Sequence, residues 1–138
     1  MPNVSAVKAK YFEPDGADND QVSATGSATT LVIADGGPYG NLTETITLTS
    51  SADNSGITFV ITGTDGNGDA QTETVTGPDT ATVSSANKYA TVTSIVASGP
   101  ITTQIQAGIL GTGALTGIVF AGRTRIRGIT GTSKASAG

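Results

Sequence analysis

The segment from Asp65 to Asp69, with sequence DGNGD, has oxygen-bearing side chains at alternate positions, as the first half of a calcium-binding loop does. The second half of that pattern is missing, because Ala70 stands where the loop needs glycine and Thr76 stands where it needs a bidentate glutamate. The same residues are typical of a hairpin turn. We therefore interpret the segment as a turn, predict no metal site, and keep calcium binding as the alternative.

Two carboxylates, Glu44 and Glu73, lie within strand-like patterns, and a carboxylate pair is the machinery of glycoside hydrolysis. Such an enzyme also needs a cleft with aromatic platforms for the sugar, and this chain has no Trp. We therefore interpret both glutamates as solvated charges on strand faces.

The stretch from position 108 to 117 contains four glycines, at 108, 111, 113 and 117, and is glycine-rich as a phosphate-binding loop is. That loop must open a helix, whereas the strand-like run LTGIVF follows here and no Lys-Ser/Thr pair is present. We predict no nucleotide or other cofactor, and we interpret the glycines as bends, bulges or sites of close backbone packing, including packing between neighbouring chains.

The residues Arg123, Arg125 and Arg127 alternate with other residues, so on a strand their guanidinium groups project from one face about 6.6 to 6.8 Å apart. All eleven acidic residues lie between Glu13 and Asp79, and Lys88 is the only basic residue between positions 11 and 122. An acidic body of this kind repels nucleic acid, so the arginine row favours a protein interface over a solvated face or a phosphate ladder.

The basic ends are therefore predicted to dock on an acidic partner or on the acidic body of a neighbouring copy, without direct contact to nucleic acid. The candidate interface residues are Lys8, Lys10, Tyr11, Phe12, Arg123, Arg125 and Arg127.

The chain has no His and no Cys, which excludes a Ser-His-Asp triad, a thiolate nucleophile, a zinc finger and a disulfide framework. We predict no catalytic residues and no enzymatic activity. No run of about 18 apolar residues and no signal peptide is recognisable, so we predict no membrane partner.

The elements that must position these residues are strands, because short runs rich in β-branched residues alternate with Gly, Pro, Asn and Asp clusters. The predicted fold is all-β: a single antiparallel β-sandwich or jelly-roll-like domain. Alternation predicts that Ile46 and Leu48 point inward with threonines outward, and likewise Phe59 and Ile61. The predicted strands are 29–34, 43–49, 57–62, 70–76, 80–84, 88–97, 101–109, 115–120 and 123–129.

Residues 1–26 contain few large apolar groups, so we predict an extended N-terminal arm there and a β-sandwich domain over 27–138 that ends in a basic C-terminal strand and a short flexible tail. Few aromatic residues are available, so we expect a thin core of Val, Ile, Leu and Ala, with extra burial from oligomerisation. Because lysines to guard strand edges are scarce, we expect the arm or another subunit to cover them.

The run from Leu42 to Ser98 contains the stretch SADNSGITFVITGTD, the turn ETVTGPD and the strand YATVTSI. Together these resemble a β-rich module of small virion structural proteins of tailed bacteriophages, most like capsid decoration (cement) proteins. The resemblance implies a protein made in the host cytoplasm and located on the capsid surface, forming a homotrimer and binding the major capsid protein. It would stabilise the head.

Two alternatives remain open from the sequence. The first is a structural role in the tail, neck or fibre of the phage, which the resemblance does not separate from the capsid. The second is a carbohydrate or calcium-dependent binding module, for which the loop from Asp65 to Asp69 would matter.

Overall fold

The computed structural model describes residues 16–39 and 42–114 of the 138-residue chain. These ranges form seven strands: β1 (Asp18–Gly26), β2 (Glu44–Ser50), β3 (Thr58–Thr64), β4 (Ala70–Thr76), β5 (Thr82–Tyr89), β6 (Thr91–Ala97) and β7 (Ile105–Ile109). They contain no helix, and so no helix that could span a membrane.

The strands form two antiparallel sheets that pack face to face. One sheet has the order β1-β7-β2-β5 and the other has the order β4-β3-β6. This confirms the predicted all-β sandwich. A jelly roll has eight strands, and the described residues supply sheets of four and three.

The core between the sheets follows the predicted alternation. Ile46, Leu48, Phe59 and Ile61 are all fully buried, and on β7 the buried Ile105 faces the same core. Side chains at alternate positions of a strand lie on one face of its sheet, so apolar residues at period two predict these core positions.

Aromatic residues contribute more to the core than the composition suggested. Tyr39, Tyr89 and Phe59 are the largest fully buried side chains. Both tyrosine hydroxyls donate hydrogen bonds to backbone oxygens, Tyr39 to that of Asp35 (3.1 Å) and Tyr89 to that of Ile61 (3.3 Å). The expected core of Val, Ile, Leu and Ala is therefore incomplete for the described residues, because two tyrosines join Phe59, whose inward position was predicted.

The N-terminal boundary differs from the prediction, since part of the predicted arm belongs to the sheet. Residues 18–26 form β1, which pairs with β7 and buries Val22 completely. Gly108 permits this pairing, because a Cβ there would collide with the backbone of Asp18 and Asn19. Residues 1–15 of the predicted arm lie outside the described residues.

The threonines on the outward face of β2 were expected to be exposed to solvent, and two of them are not. Thr45 and Thr47 are buried, and Thr47 is paired with Gly108, over which the backbone of Asp18 and Asn19 passes. The crossing of β1 thus covers part of the outer face that alternation had assigned to water.

Two predicted strands are rearranged where the chain passes between sheets. The predicted strand 29–34 makes only an isolated bridge from Thr30 to Val96. The predicted strand 88–97 divides at Ala90 into β5 and β6, which belong to different sheets. Gly63 lies against this corner, where a Cβ would collide with the carbonyl oxygen of Thr91. The predicted strands 115–120 and 123–129 lie outside the described residues.

One side of the sandwich is closed by residues 29–35, which we name the backbone seam. The Leu31 N–H donates to Ile95 O (3.0 Å) of β6, and the Ala97 N–H donates to Thr29 O (2.7 Å). Further along the same segment, the Ala34 N–H donates to Val22 O (2.8 Å) of β1. The segment therefore joins an edge strand of each sheet through main-chain hydrogen bonds.

The other side is closed where β4 and β5 meet, which we name the side-chain seam. The Glu73 carboxylate on β4 accepts hydrogen bonds from the N–H groups of Ala86 (2.6 Å) and Asn87 (2.8 Å) on β5. The Gln71 side-chain amide donates to Lys88 O (2.7 Å). At both seams the chain itself covers strand edges, the role that the sequence had assigned to the arm or another subunit.

Candidate assembly interface

Both undescribed terminal segments join the described body at the same end of the sandwich. At the C-terminal side, Thr43 and Ala114 form an antiparallel bridge with N–H to O distances of 2.9 and 2.8 Å. At the N-terminal side, the backbone of Gly16 and Ala17 packs so closely on Gly111 that a Cβ there would collide with it. The segments 1–15 and 115–138, which contain six of the seven basic residues, therefore start from neighbouring points.

Acidic residues are concentrated at this same end. The register defines the end: Glu44, at the start of β2, is paired with Tyr89, and the Ala90 N–H donates to Thr64 O (2.8 Å) at the end of β3. We name it the acidic end. Its carboxylates are Asp18, Asp20, Asp35, Glu44, Asp65 and Asp69. Asp53 and Asp79 form a bridge at the opposite end, so negative charge is unevenly distributed along the sandwich.

Asp18 and Asp20 are an exposed pair on β1 with opposite electrostatic shifts. The Asp20 N–H donates to the Asp18 carboxylate (3.1 Å), and this bond, together with one from the Asp20 side chain, holds the pKa of Asp18 below its ordinary value. The same side-chain hydrogen bond and the charge of Asp18 raise the pKa of Asp20. The two carboxyl groups therefore titrate in sequence, Asp18 before Asp20 as pH rises.

The loop from Asp65 to Asp69 is the β3–β4 hairpin turn, as the sequence analysis favoured. Asp65 Oδ1 accepts hydrogen bonds from the N–H groups of Asn67 (2.8 Å) and Asp69 (3.0 Å), and the Asp65 N–H donates to Asp69 O (2.9 Å). Gly68 has φ +89°, a left-handed conformation that glycine adopts without strain. Within 16–39 and 42–114 no group of three or more acidic residues is arranged to hold a metal ion.

Glu44 is not the solvated strand-face charge that the sequence suggested. Its side chain is fully buried, and its carboxylate accepts a hydrogen bond from the Thr112 N–H (3.1 Å). Gly113 packs against the same carboxylate so closely that a Cβ at this position would lie 2.5 Å from Glu44 Oε1. Glu44 therefore anchors residues 112–113, immediately before the point where the chain leaves the described body.

Glu73 is likewise a structural group, because both of its carboxylate oxygens bind backbone N–H groups of β5. Its charge also acts on a neighbour: burial, and secondarily the negative charge of Glu73, raises the pKa of Tyr89 to about 12. The interpretation as a solvated strand-face charge is wrong for Glu44, which is buried, whereas Glu73 is half-exposed and also binds backbone N–H groups.

The described glycines of the Gly-rich stretch serve close backbone packing within the chain. Gly108 lies under β1 and Gly111 lies under residues 16–17, with φ +73° at Gly111. This agrees with the structural interpretation of these positions. Gly117 lies outside the described residues.

The seven predicted interface residues all lie outside the described ranges, in the segments 1–15 and 115–138. The structure thus gives the points from which these segments start, at Gly16 and Ala114, and the charges of the surface around those points.

The opposite end contains a polar depression that sequence reasoning missed. Its volume is about 340 Å³, and none of its lining residues is charged. The lining residues are Thr25, Thr49, Ser50, Ser51, Thr103, Gln104 and Gln106. Thr103 has φ +62°, a strained conformation for a β-branched residue. The residues come from three separated parts of the chain, so no local motif signals the site.

A buried asparagine holds the loops beneath this depression together. The Asn54 side-chain amide donates to Ser50 Oγ (3.0 Å) and Thr102 O (3.1 Å), and Asn54 Oδ1 accepts from the Thr102 N–H (2.7 Å). Because a buried amide with three partners fixes the loops that surround it, Asn54 rigidifies this end.

No protein family, curated protein or solved structure that was compared with this chain matches it.

Proposed function

We propose that this chain is a virion structural protein of a tailed bacteriophage, a capsid decoration protein that binds coat subunits through its basic terminal segments. The observation that carries the proposal is that both basic segments start from one end of a rigid, acidic β-sandwich. Two basic segments that start side by side can engage one partner surface together, and linked contacts of this kind raise the effective affinity.

The charge distribution supports an outward-facing body. Residues 16–39 and 42–114 contain nine acidic residues and one basic residue, Lys88. Such a body is repelled by DNA and stays soluble, while the arginine row provides forked donors for coat carboxylates. Clamping between coat subunits buries area across their joints and thereby stabilises a head under internal pressure.

A small β domain that binds at a symmetric site of the capsid fits a homotrimer, in which three basic C-terminal segments contact three coat subunits. Sedimentation equilibrium of the purified chain tests this, with a trimer expected and a monomer at all concentrations contradicting it.

The direct test is binding of the purified chain to expanded capsids that lack it. Arg125→Glu should weaken capsid binding by at least about tenfold, because it replaces a cation with a negative charge that repels the coat carboxylates. Gln104→Glu is the control, since it adds a negative charge at the opposite end of the sandwich, which is not expected to contact the coat, and should leave binding unchanged. Equal effects of the two substitutions, or no capsid binding by the unsubstituted chain, would contradict the proposal.

A tail, neck or fibre role differs in copy number. Decoration requires hundreds of copies per virion, whereas symmetric tail positions hold about 3 to 18. Quantitative mass spectrometry of purified particles separates these roles.

The polar depression favours one further candidate, binding of a neutral saccharide. Ser51, Thr103 and Gln104 line it, and within the described ranges their side chains make no hydrogen bonds, so hydroxyl and amide groups face solvent. Calorimetric titration with neutral saccharides should then give a signal that Gln104→Ala abolishes. A calcium-dependent module would instead gain thermal stability on calcium addition, because a ligand that binds only the folded state raises the Tm.

A further inference from the structure

The hairpin turn between β3 and β4 contains the chain's only asparagine followed by glycine, Asn67-Gly68. Both residues are exposed at the tip of the turn. The side-chain amide of Asn67 makes no hydrogen bond to any residue of the described ranges, while the turn residue Asp65 binds only its backbone N–H (2.8 Å). The amide is therefore free to rotate toward the next backbone nitrogen.

The neighbouring glycine leaves that nitrogen accessible. Gly68 is exposed, and a Cβ built on it would have no neighbouring atom within 4 Å, so no other part of the fold crowds this residue on that side. The Gly68 N–H donates only to Asp65 O, at 3.1 Å, the longest hydrogen bond of this turn. Breaking that single bond exposes the Gly68 nitrogen as a nucleophile with no side chain beside it.

We propose that Asn67 is a site of spontaneous covalent modification, in which water and hydroxide convert it to aspartate and isoaspartate in the folded protein. The Gly68 nitrogen loses its proton to hydroxide and attacks Asn67 Cγ, forming an N–Cγ bond. The Cγ–Nδ2 bond then breaks, and Nδ2 leaves with protons from solvent as ammonia. The product is a five-membered succinimide.

Hydrolysis of the succinimide completes the balance. Water adds to one of its two carbonyl carbons and breaks that carbon's bond to the Gly68 nitrogen. Opening at Cγ restores the main chain with aspartate at position 67, and opening at the main-chain carbonyl gives isoaspartate, in which the chain passes through Cβ. The net reaction consumes one water and releases one ammonia, without any oxidant or reductant.

The other described asparagines lack this combination. Asn54 is buried and its amide is held by hydrogen bonds. Asn19 and Asn87 are followed by Asp20 and Lys88, whose side chains hinder the attacking backbone nitrogen. Among the described asparagines, the modification therefore adds one negative charge selectively to the acidic end, the end from which the basic segments start.

The experiment incubates the folded full-length chain in mildly alkaline buffer, followed by proteolysis and mass spectrometry of each asparagine peptide. The Asn67 peptide should gain the mass difference between an amide and an acid, split into two chromatographic species, about tenfold faster than the Asn87 peptide, a ratio equal to a barrier difference of about 1.4 kcal/mol. Asn67→Gln is the matched variant and should show no such conversion, because its longer side chain forms a six-membered ring with difficulty.

Folding is monitored by circular dichroism throughout, so that conversion is assigned to the folded state. Equal rates at Asn67 and Asn87, or conversion at Asn67 only after denaturant is added, would overturn the proposal. The readout is independent of capsid binding and therefore stands apart from the proposed function.

Discussion

The two sides of the sandwich are closed by different kinds of bond, and the difference shows how this chain uses its charges. The backbone seam distributes its hydrogen bonds over main-chain groups of residues 29–35, anchored by the buried side chain of Leu31. The side-chain seam depends on the carboxylate of Glu73 and the amide of Gln71. In a body with one lysine, a buried or half-buried carboxylate is satisfied by backbone N–H groups instead of by cations.

Breaking the anchor of the backbone seam should give the largest effect. Leu31→Ala removes a side chain that is 4% exposed and packs in the core, so we expect a loss of about 3 kcal/mol in the free energy of unfolding. Urea denaturation measures it. The neighbouring Val32→Ala is the matched control and should cost little, because Val32 is 80% exposed. Similar losses for the two variants would show that the seam is not anchored as described.

Alkaline pH should weaken the protein through its buried tyrosines. The pKa of Tyr89 is raised from 10.0 to about 12, so the folded state favours the neutral phenol. Below pH 10 neither state ionises and stability is constant. Between pH 10 and 12 the unfolded chain loses protons first, so the contribution of Tyr89 to the free energy of unfolding falls by about 2 to 3 kcal/mol.

Urea unfolding at several alkaline pH values tests this pH dependence. Each tyrosine is next to one seam, because Tyr39 donates to Asp35 O of the backbone seam and the charge of Glu73 in the side-chain seam acts on Tyr89. Tyr89→Phe should remove the part that belongs to the side-chain seam and leave the part due to Tyr39, whose pKa is also raised by burial. A Tyr89→Phe profile that is identical to the unsubstituted one would contradict the assignment.

Removing the carboxylate of the side-chain seam should have an intermediate effect. Glu73→Ala leaves the N–H groups of Ala86 and Asn87 without their acceptor, and since both groups are near solvent we expect a loss of about 2 kcal/mol. Glu73→Gln retains one acceptor oxygen and should lose about half as much. If Glu73→Gln were as damaging as Glu73→Ala, the charge and not the hydrogen bonds would be the important term.

The smallest effect is expected at Gln71, which contributes one hydrogen bond to Lys88 O. Gln71→Ala should cost about 1 kcal/mol or less in unfolding experiments. In the double variant with Glu73→Ala, the loss in the free energy of unfolding should differ from the sum of the two single-variant losses, because neighbouring groups at one seam are coupled. Strict additivity would indicate that the two contacts act separately.

Sequence patterns predicted the two-sheet class of the fold and most of its core positions, but not every strand and not the polar contacts. Period-two alternation predicted the buried positions of Ile46 and Phe59, because the pleat places alternate side chains on opposite faces. It missed β1, whose sequence DNDQVSATG has one large apolar residue and is held by pairing with β7. It also assigned 29–34 to a strand, where β-branched residues instead form a seam between two sheets.

Of the candidate interface, the sequence predicted only that the basic residues lie near the two termini and the acidic residues between them. That Gly16 and Ala114 lie at one end follows from long-range pairings, such as Thr43 with Ala114, which no local pattern contains. The burial of Glu44 and the hydrogen bonds that Glu73 accepts from β5 depend on which parts of the backbone lie beside them in the fold. The Asn54 network was missed for the same reason, since its partners are distant in sequence.

A cryo-electron microscopy reconstruction of the particle is the most direct test of the central claim. We expect the sandwich on the outer capsid surface, with the end that carries Gly16 and Ala114 turned toward the coat subunits and the polar depression facing solvent. A sandwich located in the tail, or one whose opposite end contacts the coat, would contradict it.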